Sequence, residues 1–103
     1  MAFLFGLEFK RHVLMIYKEI LHNVVDHASA TEVNVEVLVF DHLFRMCIRD
    51  NGKGFDKGAR SQGRGLRSIA SRSKALNGAL TIDTQPGSGT EITIEARIAR
   101  SGD

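Results

Sequence analysis

Apolar residues recur near the start of the chain at Val13, Ile16, Tyr17, Ile20, Leu21, Val24 and Val25. That three-and-four spacing predicts an amphipathic helix from about Phe9 to His27. Between residues 32 and 40 the period changes to two, with Val33, Val35, Val37 and Val39 on one face. After the turn signal Asp41-His42 a second alternation runs from Leu43 to Asp50, so the two runs predict an antiparallel hairpin. Residues 51 to 65 hold glycines at 52, 54, 58, 63 and 65 and only Phe55 as a large apolar side chain. Such a stretch predicts a loop. Leu66, Ile69, Ala70, Ser73 and Leu76 then line a second helix, and Asn77-Gly78 supplies its left-handed stop. Two more strands, Leu80 to Gln85 and Thr90 to Ile98, flank the turn Pro86-Gly87-Ser88-Gly89. Amphipathic helices and strand pairs with one apolar face pack most economically as an α+β two-layer sandwich, a mixed or antiparallel sheet covered on one face by helices.

Composition narrows the picture. A chain of 103 residues, 43% hydrophobic and 25% charged, fits a single soluble domain, with a core from about residue 9 to 98. Fourteen basic against twelve acidic side chains leave a net charge of +2, too small an excess to mark a nucleic-acid binder. The single cysteine, Cys47, excludes an intrachain disulfide, a CxxC redox pair and a thiolate-rich zinc site, as expected of a protein from a reducing compartment. No apolar run approaches the roughly 20 residues a bilayer demands. Met1-Ala2-Phe3-Leu4-Phe5 lacks the basic flank and cleavage site of a signal peptide.

Strand phase shows where polar groups point. Phe44, Met46 and Ile48 share a face of the second strand, and counting on by two puts Asp50 on that apolar face. A carboxylate is costly there unless something donates hydrogen bonds to it. Thr90 is likewise in phase with Ile92, Ile94, Ala96 and Ile98. Two inward polar groups beside glycine-rich turns point to a ligand pocket, while a purely structural alternative has Asp50 capping Asn51-Gly52 and Thr90 bonding locally. On the first helix Glu19, Asn23 and His27 stand at i, i+4 and i+8 with Asp26 nearby. Such an oxygen-bearing stripe suits magnesium shared with phosphates, and equally suits the wet side of a helix. Gly63-Arg64-Gly65-Leu66 opens the second helix, where exposed N–H groups and the helix dipole favour an anion, and Arg60, Arg64 and Arg67 add positive charge. The dinucleotide glycine pattern, the P-loop lysine pattern and a nucleophile elbow are all missing.

Four groups therefore occur in sequence: Glu19-Ile20-Leu21-His22-Asn23 with His27-Ala28, then Asp50-Asn51-Gly52-Lys53-Gly54-Phe55, then Gly63-Arg64-Gly65-Leu66, then Gly87-Ser88-Gly89-Thr90. That order, from about Arg11 to Ile98, resembles the N, G1 and G2 boxes of the ATP-binding domain of sensor histidine kinases, in the superfamily of gyrase, heat-shock chaperone and mismatch-repair ATPases (GHKL). The wording around Ile16-Tyr17-Lys18-Glu19 and Gly65-Leu66-Arg67-Ser68-Ile69 is most similar to kinases that pair with helix-turn-helix response regulators. The resemblance implies a GHKL-type fold that uses ATP and Mg2+. It implies that Asn23 holds the magnesium and that Glu19 orders its waters or polarises the attacking group, the two catalytic positions. It further implies nucleotide contacts at His27, at Asp50 to the adenine amino group, at Gly52 and Gly54 beside the base, at Gly63, Gly65 and Leu66 bounding the ATP lid, and at Thr90.

Two departures stand out. Asp26 puts a carboxylate just before His27 where many relatives have a non-acidic residue, and the lid from Asp56 to Gln62 is short. The family's phosphoacceptor histidine is followed by an acidic residue, whereas His12, His22, His27 and His42 are followed by Val, Asn, Ala and Leu. The resemblance therefore implies a catalytic fragment of a cytoplasmic kinase region, its parent with or without a membrane anchor. Its partners would be the dimerisation and phosphoacceptor domain of the same kinase and a downstream response regulator, with no nucleic acid. Alternatives are a nucleotide-binding regulatory module without transfer activity and an anti-sigma-factor serine kinase.

Overall fold

The structure, a computed structural model, describes residues 6–25, 30–54 and 63–98. Six elements run in the order α1 (Leu7–Asn23), β1 (Val33–Phe40), β2 (Leu43–Asp50), α2 (Gly63–Ala75), β3 (Ala79–Thr84) and β4 (Thr90–Arg97). Element types and order match the periodicity. α1 starts earlier than the spacing predicts; after Asn23 the backbone stays helical through Val24 and Val25, Val24 donating its N–H to the carbonyls of Ile20 and Leu21, and the predicted end at His27 lies outside the described residues.

The four strands form one sheet in the order β1-β2-β4-β3, every neighbouring pair antiparallel. Asp41 and His42 turn β1 into β2 with φ of 48° and 64°, the pair of positive values that a tight two-residue hairpin turn requires. Register then aligns the sheet in rows. Met46 faces Ile94, which faces Leu80; Ile48 faces Ile92, which faces Ile82; Asp50 faces Thr90, which faces Thr84. Ile16 and Ile20 of α1 and Ile69 of α2 pack on this face with Phe44, Met46, Ile48, Ile92, Ile94 and Ile98. Each isoleucine removed from water in this way contributes about 1.5–3 kcal/mol. Near the start of α1, Phe9 meets Phe44 edge to face, ring centres 5.4 Å apart.

The opposite face of the sheet is polar. Arg45 pairs with Glu95 at 3.6 Å and Arg49 with Glu91 at 2.8 Å, each across the β2–β4 register. The hydrogen bond and charge of Glu91 hold the Arg49 guanidinium above its ordinary pKa. Cys47 is buried and free, accepting a long hydrogen bond from Thr93 Oγ1 at 3.5 Å.

β1 departs from the two-sided reading of its pattern. Its valines stand opposite Asp50, Ile48, Met46 and Phe44, in phase with the core face, yet all eight residues are exposed. The buried core draws on α1, α2, β2, β4 and Ile98, so the helical layer stops short of this edge strand. α2 ends as the sequence predicts. Asn77 takes φ 54°, its N–H reaches the carbonyl of Lys74, and that of Gly78 reaches the carbonyl of Ser73, each at 2.9 Å. This pair of bonds is the Schellman arrangement. A Cβ on Gly78 would lie 2.9 Å from Glu95 O, so glycine here lets the helix end close on β4.

Candidate functional site

The last row of the sheet carries the polar groups that strand phase singles out. Asp50, Thr90 and Thr84 are 8%, 8% and 7% exposed and lie side by side on β2, β4 and β3. Asp50 Oδ1 accepts the Gly52 N–H at 2.8 Å. Its other carboxylate oxygen has no partner among the described residues. The structural and ligand-binding alternatives for Asp50 are thus compatible: one oxygen shapes the turn, the other is left to accept. Thr90 does not bond only to local backbone, because its hydroxyl lies 2.8 Å from that of Thr84. The Thr84 hydroxyl in turn donates to the carbonyl of Gly89 at 3.2 Å.

Two turns close this end of the sheet and lock together. The Gly87 N–H donates to the carbonyl of Lys53, and the Ser88 N–H to that of Gln85 at 3.0 Å. Gly54, at φ 64°, lies so close to Gln85 that a Cβ would run into its carbonyl oxygen, and Gly89, at φ 75°, stands in the same relation to the carbonyl of Asp50. These two positions need glycine for both backbone sign and space. Asn51 ties the same turn to the approach of β1. Its Oδ1 accepts the N–H groups of Thr31 and Glu32 at 2.9 and 3.0 Å, and its Nδ2 donates to Thr31 Oγ1 at 2.9 Å.

Glu19 and Asn23 stand one turn apart on α1, both half-buried. Neither side chain has a hydrogen-bond or ion-pair partner among the described residues. Two unpartnered oxygen-bearing side chains at this spacing fit a hard cation that keeps most of its own water. Among the described residues no cluster of three or more His, Cys, Asp or Glu side chains could hold a metal by itself. Gly63, Gly65 and Leu66 belong to the first turn of α2, whose backbone N–H groups have no intrahelical acceptor. His27, Asp26 and the stretch Asp56 to Gln62 lie outside the described residues.

Sequence reasoning singled out Asp50 and Thr90 but not Thr84 or Asn51. Counting by two from Leu80 and Ile82 reaches Thr84, so the signal was present. Asn51 gave none, since its partners are about twenty residues upstream.

Residues 9–100 match the family model of histidine kinase-, DNA gyrase B-, and HSP90-like ATPases. The signal transduction histidine-protein kinase/phosphatase DegS of Brevibacillus brevis is 37% identical over 98 residues, covering 90% of this chain and 25% of that protein. Two solved structures share the fold. The histidine kinase domain of the blue-light activated kinase EL346 of Erythrobacter litoralis superposes with a TM-score of 0.76 at 20% identity, covering 88% of this chain and 45% of that one. The ATP binding domain of PrrB from Mycobacterium tuberculosis does so with 0.67 at 21% identity, covering 87% and 68%. The chain thus spans about a quarter of the length of the curated relatives it matches. With a family-model match over nearly the whole chain, this protein belongs to the histidine kinase-, DNA gyrase B- and HSP90-like ATPase family.

Proposed function

We propose that this chain is the ATP-binding catalytic domain of a sensor histidine kinase, transferring the γ-phosphoryl group of ATP to a histidine on a separate dimerisation domain. The observation that carries the reading is Asp50. A buried carboxylate that spends one oxygen on the Gly52 N–H and leaves the other without a partner among the described residues is matched to an amino-group donor such as that of adenine. Thr90 stands beside it in register, and at Gly54 and Gly89 the two turns pack backbone against backbone at this end of the sheet.

Glu19 and Asn23 are the residues that would hold Mg2+, directly through the Asn23 amide oxygen and through water at Glu19. When bound, Mg2+ neutralises charge on the phosphate oxygens. The α2 N-terminus, with Gly63, Gly65 and Leu66 in its first turn, offers N–H groups and the positive end of a dipole to the same phosphates. Catalysis of this kind is mainly positioning and electrostatics, so the protein needs no nucleophile of its own. The dimerisation domain supplies the acceptor and a response regulator receives the phosphoryl group. The domain works in the cytoplasm, whether or not its parent kinase has a membrane anchor; no described helix is long and apolar enough to cross a membrane.

Titration of Mg-ATP against the chain by calorimetry tests the reading. A hydrogen bond to a charged acceptor contributes about 1.5–3 kcal/mol, so Asp50→Asn should weaken binding about ten- to a hundredfold. Unchanged affinity in that variant would sink the assignment.

A further inference from the structure

The contacts among Thr84, Thr90 and Gly89 at the end of the sheet favour one polarity. Thr84 Oγ1 lies within hydrogen-bond reach of both Thr90 Oγ1, at 2.8 Å, and the carbonyl oxygen of Gly89, at 3.2 Å. A carbonyl only accepts, so the bond to Gly89 takes the single proton of Thr84. The shorter contact is then a hydrogen bond only if Thr90 donates to Thr84. One arrangement makes both contacts favourable: Thr90 to Thr84 to the Gly89 carbonyl. The opposite arrangement would face a lone pair of Thr84 against the Gly89 oxygen in a buried row, where an unmade bond is expensive.

We infer that Thr84 is a positioning residue for base recognition: by taking the Thr90 proton it turns Thr90 into an acceptor, so that Thr90 and Asp50 together demand a ligand group with two hydrogens. The inference rests on the proposed placement of adenine at Asp50 and deepens it. Asp50 and Thr90 are direct partners in the β2–β4 register, and the turn glycine at 89 fixes the carbonyl that ends the relay, since a side chain there would collide with the Asp50 backbone. An exocyclic amino group offers two hydrogens to two neighbouring acceptors. A ring carbonyl at the same position offers none, and a hydroxyl free to rotate could donate to it. Thr84 removes that freedom.

The test compares binding of ATP and of inosine triphosphate, which carries a carbonyl where adenine has its amino group, to the 103-residue chain. In Thr84→Val the relay is lost and Thr90 is free to donate, so the preference for ATP should shrink about tenfold. Thr84→Ser, which keeps the hydroxyl, should restore it. The same preference in Thr84→Val as in the parent chain, or no rescue by a folded Thr84→Ser, would overturn the inference. Should Thr84→Val fail to fold, the parent chain decides alone: N6-methyl-ATP, with one hydrogen fewer, should bind about tenfold more weakly than ATP, and equal binding overturns the two-hydrogen requirement. Asp50→Asn separates the levels. If it leaves ATP affinity unchanged, adenine is not at Asp50 and both readings fall; if it weakens ATP while Thr84→Val leaves selectivity intact, only the role of Thr84 falls.

Discussion

Gly87 and Gly89 sit two residues apart in one turn, at φ of 83° and 75°, and substitution should distinguish them. A Cβ at Gly87 meets nothing within 4 Å, whereas one at Gly89 runs into the Asp50 carbonyl. Gly87→Ala should therefore lose only the left-handed backbone penalty, about 1–2 kcal/mol. Gly89→Ala should lose about 1–3 kcal/mol more, because the two strand ends must part to admit the methyl group. Urea unfolding of both variants checks this, and equal losses would show that the close approach constrains nothing. At this scale the sequence was informative wherever a side chain's role is set by its own strand. Asp50 and Thr90 are inward because of their phase. The lack of a partner for one Asp50 oxygen among the described residues, the contact of Thr90 with Thr84 and the reach of Asn51 depend on atoms brought together by the sheet, and no count along the chain reports them.

Among the elements, β1 tests what periodicity means. Alternation in Val33, Val35, Val37 and Val39 states that these side chains share a face, and they do; it does not state that anything lies on that face. Val37 remains 53% exposed, while Ile94, in the same face of the sheet, is 1% exposed. Val37→Thr should thus alter unfolding free energy by no more than about 0.5 kcal/mol, while Ile94→Ala should cost about 2–5 kcal/mol through lost burial and a residual cavity. Chemical denaturation of the two variants reads the difference directly; a comparable cost at Val37 would mean that the edge strand is packed after all. The α2 stop was legible because Asn77-Gly78 carries its own backbone chemistry.

For the molecule as a whole, the order of the boxes along the chain identified the family, because four loose motifs on the right elements constrain one another more than any does alone. If the chain is the catalytic domain proposed above, with its acceptor on another domain, binding should separate from transfer: incubated with labelled ATP, the chain should bind yet incorporate almost no phosphate. Added dimerisation domain should become labelled. If Glu19 acts on metal waters or on the attacking group, Glu19→Gln removes stabilisation found mainly in the transition state. Transfer should then slow on the order of a hundredfold while nucleotide affinity, measured by calorimetry, changes little. A parallel loss of affinity would make Glu19 a binding residue, and strong labelling of the chain alone would refute the separation of catalyst from substrate.

The three-bond grip of the Asn51 side chain on residues 31 and 32 has a consequence for folding fidelity. All eight residues of β1 are exposed, so burial holds this valine-rich edge strand only weakly in its native alignment with β2. A slip of one residue would carry its valines to the opposite face of the sheet. The two-residue turn fastens one end of the hairpin and Asn51 fastens the other, with bonds that a slipped chain breaks together. A side chain outside the buried core thereby proofreads the alignment of the edge strand.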